Sequence, residues 1–153
     1  MIALPIAPPL DLARPVDAAG MAQVLGAWIA ATPWMPKLHT PAEDEWFCSH
    51  LIETCKVWVV RSPTAAGFLA RQGDEIPALY LAPELRGLGH GKALLDLAKQ
   101  GRDRLELWTF QANTRAIGFY LREGFSEDRR TMGEGNAENL PDIRLIWTRK
   151  PQP

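Results

Sequence analysis

Between Gly87 and Gly91 every second residue is glycine, in the segment Arg86-Gly87-Leu88-Gly89-His90-Gly91-Lys92. An apolar run, Ile76–Ala82, precedes this turn, and Ala93, Leu94, Leu97 and Ala98 follow it at helical spacing. A strand, a glycine turn and a helix start in succession form an anion-binding device. The first N–H groups of the helix are unpaired, and the helix dipole favours negative charge there. Glycine removes the Cβ that would keep a phosphate at a distance. A tight turn without a ligand is the alternative at this point.

Two nucleotide signatures can be compared with it. A P-loop requires a hydroxyl residue after its Gly-Lys pair, and here Gly91-Lys92 is followed by Ala93. A dinucleotide fingerprint requires G-x-G-x-x-G, which the Gly87, Gly89, Gly91 spacing does not match. Glu106 lies where a ribose-binding acid would be expected, but a chain of 153 residues leaves no second mononucleotide half.

The surrounding sequence predicts alternating strands and helices. Leu10–Pro15 reads as a first strand, followed by a helix capped by Asp17, with Val16 and Met21 at the two positions of a hydrophobic staple. Met21, Val24, Leu25, Trp28 and Ile29 give that helix one apolar face. Thr40-Pro41-Ala42-Glu43 opens a second helix with a capping box and proline at its first position. Strands are expected at Lys56–Arg61, Gly67–Arg71, Ile76–Ala82 and Leu105–Phe110. Asn113 caps a further helix with Ala116, Ile117, Tyr120 and Leu121 on one face. Gly124 stands at its left-handed C′ position and Phe125 makes the closing contact. A polar hairpin at Gly133–Asp142 leads into a last strand, Ile143–Arg149. Residues 1–9 read as a Pro-rich arm and 151–153 as a tail, so residues 1–153 are expected to form a single domain.

Composition narrows the partners. Net charge is −1, with no basic run, which argues against nucleic acid. No stretch reaches the roughly 18 apolar residues of a membrane span. The N-terminus lacks a basic segment and is broken by prolines, which argues against a signal peptide and for a cytoplasmic protein. Cys48 and Cys55 are read as reduced thiols on one helix face, and His39, His50 and His90 form no metal-ligand pattern with them.

Two blocks together resemble the GNAT N-acetyltransferase superfamily. One is Arg86-Gly87-Leu88-Gly89-His90-Gly91, preceded by Leu79-Tyr80-Leu81-Ala82-Pro83, and the other is Asn113-Thr-Arg-Ala116-Ile-Gly-Phe119-Tyr120-Leu-Arg-Glu-Gly124-Phe125. The resemblance spans residues 10 to 150. It implies an α/β (α+β) fold, with a mixed, mostly antiparallel sheet of six or seven strands flanked by about four helices. The fourth and fifth strands splay apart, and the pantetheine arm of acetyl-CoA lies in the gap. It also implies main-chain contacts from Leu79, Tyr80 and Leu81 and a pyrophosphate resting on the amides of Leu88 to Lys92. Arg86 and Lys92 add charge, and the cradle includes Gly87, Gly89, His90 and Gly91, with Asn113 and Phe119 nearby. Tyr120 is the expected catalytic acid, protonating or hydrogen-bonding the leaving thiolate.

A general base is harder to find. An alkyl amine has a pKa near 10.4, so roughly one molecule in a thousand is the neutral nucleophile at pH 7. Relatives often carry a polar or acidic residue where this chain has Pro77, and Pro77 itself suggests an edge or a bulge. Asp74, Glu75, Glu106 and His39 are the substitutes. Trp34 and His39, on the loop after the first helix, are candidates for the acceptor pocket. Glu134, Glu138 and Asp142 could attract a cationic amine or form a solvated hairpin.

These readings predict an acetyl-CoA-dependent N-acetyltransferase acting on a primary amine by direct attack on the thioester, without a metal. A non-catalytic acyl-CoA sensor and a transferase for protein N-termini or lysines are the alternatives, and self-association into a homodimer stays open.

Overall fold

The computed structural model describes residues 10–150; the expected arm at 1–9 and tail at 151–153 lie outside the described residues. Apolar side chains build a sheet whose central strands are buried on both faces. Its strands are β1 (Leu10–Leu12), β2 (Lys56–Arg61), β3 (Ala65–Gln72), β4 (Glu75–Leu81), β5 (Arg104–Phe110), β6 (Ser126–Thr131) and β7 (Asp142–Thr148). They pair in the order β1-β2-β3-β4-β5-β7-β6, antiparallel throughout except between β4 and β5. Four helices flank the sheet: α1 (Ala18–Ala30), α2 (Pro41–Thr54), α3 (His90–Lys99) and α4 (Thr114–Arg122).

The period of two sorts side chains into two cores. Val57, Val59, Phe68, Ala70 and Ala78 pack with Met21 and Val24 of α1 and Cys48 and Leu51 of α2. Trp58, Val60, Leu69 and Ile76 pack on the other face with Leu94, Leu95 and Ala98 of α3 and Tyr120 of α4. The helices on opposite faces therefore hold opposite walls of anything that opens through the sheet.

The expected starts of α2 and α4 are present. The Thr40 hydroxyl accepts from the Glu43 amide at 3.2 Å, and the Glu43 carboxylate accepts from the Thr40 amide at 3.0 Å. The Asn113 Oδ1 accepts from the Ala116 amide at 3.2 Å. At the far end of α4, Gly124 has φ +95°, and the Phe125 amide donates to the Tyr120 carbonyl at 3.0 Å.

The start of α1 differs from expectation. β1 ends at Leu12, and a 3-10 turn at Pro15–Asp17 leads into the helix. Asp17 makes no cap bond to the helix. Its carboxylate instead accepts from both terminal nitrogens of Arg61 on β2, and from the Arg14 amide at 2.7 Å. Val16 is 78% exposed, so no staple to Met21 forms. On α4, Leu121 faces solvent rather than the core. Cys55 caps α2 instead of lying within it, and both cysteines are free thiols.

Candidate active site

A single β-bulge creates the opening. Ala70 pairs with Ala78 and Gln72 with Glu75, so β4 advances three residues while β3 advances two. The extra residue lies at Ile76–Pro77, where proline has no ladder donor to lose. The parallel neighbours β4 and β5 then pair only at Glu75 and Glu106. Past that point the strands part toward their C-terminal ends, the side on which open α/β sheets bind ligands. The resulting cleft has a volume of about 520 Å³.

Cleft walls come from both strands and from the loops and helices beyond them. Leu79, Tyr80 and Leu81 line one side, and Leu107 to Phe110 the other. On this stretch β4 has no strand partner toward β5, so its main chain can pair with an extended ligand. Arg86, Gly87, Gly89, Gly91 and Lys92 close one end.

The three glycines of the turn have different reasons to be glycine. Gly87 and Gly89 have φ of +75° and +89°, with nothing within 4 Å of a Cβ built on either. Gly91 is helical, and a Cβ there would meet the Phe119 ring at 3.3 Å. The first two shape the cradle; the third lets α3 approach α4.

From α4, Asn113, Phe119 and Tyr120 face the cleft. Asn113 has already spent its Oδ1 on the helix cap, which leaves its amide nitrogen available. Tyr120 is wedged between Phe119 and Phe125, with ring centroids 5.3 and 5.4 Å away. Burial pushes its phenol well above the ordinary tyrosine range, and the nearby Tyr80 adds to the shift; no hydrogen bond contributes. Tyr80 reaches the same cleft from the opposite face, and burial raises its phenol to about 12. The gap thus brings together two neutral phenols that a closed sheet would separate.

The cleft-lining residues include four cations, Arg86, Lys92, Arg115 and Arg122, and no carboxylate or histidine. That charge suits a polyanion. Sequence reasoning overlooked Arg115 and Arg122, both exposed, and the aromatic wall made by Trp28 and Phe110. Position on the exposed side of α4 was the available signal for the arginines. Lys92 is tied to Glu123 at 3.4 Å and Asp96 at 3.5 Å.

Other expected side chains lie off the cleft lining. Leu88 is 66% exposed and His90 is buried, and neither side chain lines the cleft. Trp34 stands behind the wall, edge-on to Trp28 and Phe110 at 5.8 and 5.7 Å. His39 is exposed beside the capping box, 3.7 Å from Glu43. The substitute bases are also committed: Asp74 to Arg102 at 2.6 Å, and Glu106 to Arg104 at 3.1 Å and to Arg144. Glu75 is exposed at the start of β4.

A splayed pair of parallel strands, a glycine cradle at a helix start and a tyrosine opposite them define an acyl-CoA-dependent acyltransferase. Residues 53–127 match the family model described as an acetyltransferase (GNAT) domain. The peptidyl-lysine N-acetyltransferase YjaB of Salmonella typhimurium is 30% identical over 108 residues, covering 69% of this chain and 74% of that protein. The solution structure of apo-form YjaB from Escherichia coli shares the fold, with TM-score 0.75 at 21% identity over 93% of this chain and 98% of that one. So does Salmonella typhimurium yncA with its cofactor acetyl-CoA, with TM-score 0.70 at 14% identity over 95% and 97% of the two chains. The chain belongs to the GNAT acetyltransferase family and is an acetyl-CoA-dependent N-acetyltransferase.

Proposed function

We propose that this enzyme acetylates the side-chain amine of lysine in a protein or peptide, with Tyr120 as its catalytic acid. The observation that carries this reading is the aromatic lining of the cleft away from the glycine turn. Trp28 lies edge-on to Tyr80 at 5.4 Å, and Phe110 completes the wall. Such a wall accommodates a methylene chain and desolvates the amine at its tip, which favours the neutral, nucleophilic form. A small polyamine would call for carboxylates in the cleft, and its lining holds none. The likeness to a peptidyl-lysine N-acetyltransferase supports the same acceptor class.

The residues divide the work as follows. The amides of residues 88 to 92, with Arg86 and Lys92, hold the pyrophosphate of acetyl-CoA. The main chain of Leu79, Tyr80 and Leu81 aligns the pantetheine arm. Acetyl-CoA supplies the activated thioester. The amine attacks the carbonyl carbon, the C–S bond breaks, and the Tyr120 phenol gives its proton to the departing sulfur. None of Asp74, Glu75, Glu106 and His39 lines the cleft, so the amine proton leaves to water and water returns a proton to the Tyr120 phenolate. The free thiols of Cys48 and Cys55 support a reducing, cytoplasmic setting.

Thiol release from acetyl-CoA, followed with a lysine-containing peptide, its lysine-acetylated counterpart and a panel of small amines, tests the reading. Turnover confined to the free-lysine peptide is expected. Turnover on small polyamines alone would overturn the acceptor class, and tight acetyl-CoA binding without turnover on any amine would favour the sensor alternative.

A further inference from the structure

The cleft is longer than the cofactor arm assigned to it. β4 runs from its join with β5, at Glu75 and Glu106, up to Leu81 and on toward the glycine turn. A cofactor whose pyrophosphate rests on that turn descends past Leu81 to Leu79, with its thioester end directed at the join. The open space continues below Leu79 to Ala78, Pro77 and Ile76, the last of them one residue from where the strands meet. At about 3.3 Å per residue, these three residues add about 10 Å of cleft beyond the arm. An acetyl group, with a single carbon past its carbonyl, fills only part of that length.

The β-bulge sets the chemistry of this floor. Ala78 pairs with Ala70 and packs on the face that holds α1 and α2, whereas Ile76 packs on the opposite face with α3. Between them stands Pro77, exposed and bordering the cleft. On the β5 side Leu107 and Trp108 close the floor. Apart from the Trp108 indole N–H, these side chains are wholly apolar. The cations of the cleft lie away from the floor, Arg86 and Lys92 at the turn and Arg115 and Arg122 on α4. Arg129 lies over the Trp108 ring, 5.2 Å from its centroid, but does not line the cleft. A methylene entering the floor exchanges water for apolar walls, while a carboxylate there meets no cation in the lining.

Resting on the proposed placement of the cofactor, we infer that the enzyme also transfers longer straight-chain acyl groups, from propionyl-CoA and butyryl-CoA. The added methylenes lie on Ile76, Pro77, Ala78, Leu107 and Trp108, and an acyl group ending in a carboxylate, such as succinyl, is rejected. The amine nitrogen bonds to the carbonyl carbon, the C–S bond breaks, and coenzyme A leaves with the Tyr120 proton. The amine proton passes to water, which reprotonates Tyr120, and the product is the longer amide. Pro77, which has no proton to give or take, acts as an apolar wall for the acyl chain.

Thiol release with one lysine peptide and four donors tests this. Because a buried methylene contributes a factor of about four in binding, kcat/KM for propionyl-CoA and butyryl-CoA should lie within about ten-fold of the acetyl-CoA value. Succinyl-CoA should fall more than about ten-fold below butyryl-CoA, through its unpaired charge. A larger loss with propionyl-CoA, or succinyl-CoA turned over within about ten-fold of butyryl-CoA, overturns the inference and leaves the proposed function intact. Pro77→Asp places a carboxylate on the floor and should lower the butyryl-to-acetyl ratio of kcat/KM several-fold. Any effect on steps shared by the two donors cancels in that ratio, and an unchanged ratio in the folded variant also overturns the inference. Absence of acetyl transfer to the peptide instead removes the proposed acceptor. The donor ranking is then read from thermal stabilisation, where butyryl-CoA should match or exceed acetyl-CoA and a smaller shift counts against the floor.

Discussion

At the scale of single residues, Tyr120 and Gly91 carry the most decisive expectations. Burial favours the protonated phenol of Tyr120, which therefore stays an acid at every pH at which the enzyme is assayed. The rate should then climb with pH as more of the acceptor amine becomes neutral, without an alkaline fall from Tyr120 below about pH 10. Tyr120→Phe keeps the ring between Phe119 and Phe125 and removes only the proton donor. Its kcat should fall by about 10²-fold or more with little change in melting temperature. Wild-type kcat in that variant would remove Tyr120 from the chemistry. Gly91→Ala tests a different link, from packing to binding. Its Cβ would meet the Phe119 ring, which lines the cleft and must shift to make room. KM for acetyl-CoA should rise several-fold while acceptor KM holds, measured on the same peptide.

Among the elements, the join between β1, α1 and β2 depends on one buried ion pair. Burial alone would push the Asp17 carboxyl up; hydrogen bonds from Arg61 and the Arg14 amide outweigh it and hold the pKa below the usual aspartate range. A depressed folded-state pKa means the contribution is complete above about pH 4 and is lost as the pH falls through the folded value. Arg61→Met leaves Asp17 buried without its partner and should cost about 3 kcal/mol at pH 7 by urea denaturation. The gap between variant and wild type should begin to narrow above the ordinary aspartate range as the pH falls, because burial without Arg61 makes Asp17 neutral earlier in the variant; a gap that stays constant would assign the loss to packing. This element also shows what sequence could not convey. Asp17 reads as a helix cap because capping is a local signal, but its partner is 44 residues away. Thr40 and Asn113 read correctly because their partners lie three residues on. The cleft was legible for a similar reason. Its glycines and the Asn113–Phe125 helix are contiguous motifs, and Pro77 announced the bulge. Trp28 and Phe110 come from separated segments and meet only after folding, so no spacing in the chain revealed them.

Across the whole molecule, charge is arranged against the average. The net charge is −1, yet Arg86, Lys92, Arg115 and Arg122 face one cleft. Net charge alone predicts no attraction for an anionic cofactor; the local field does. These cations are largely exposed, so salt should weaken their effect. The Debye length shrinks from about 10 Å at 0.1 M to about 3 Å at 1 M. Acetyl-CoA at about 100 times its dissociation constant should stabilise the fold by about 2.7 kcal/mol, a rise in melting temperature on the order of 5–10 °C. Raising salt to about 1 M should cut that rise unless more acetyl-CoA is added. The acetyl thioester of pantetheine, which lacks the phosphates, should bind more weakly but with an affinity indifferent to salt, because its contacts are main-chain and apolar. If both thioesters lost affinity equally with salt, the cationic rim would be a solvated surface and the cofactor would be held by the gap between β4 and β5 alone. If only acetyl-CoA responds, Arg86, Lys92, Arg115 and Arg122 act together as the phosphate end of the site, and charge reversal at Arg115 or Arg122 should flatten the salt response.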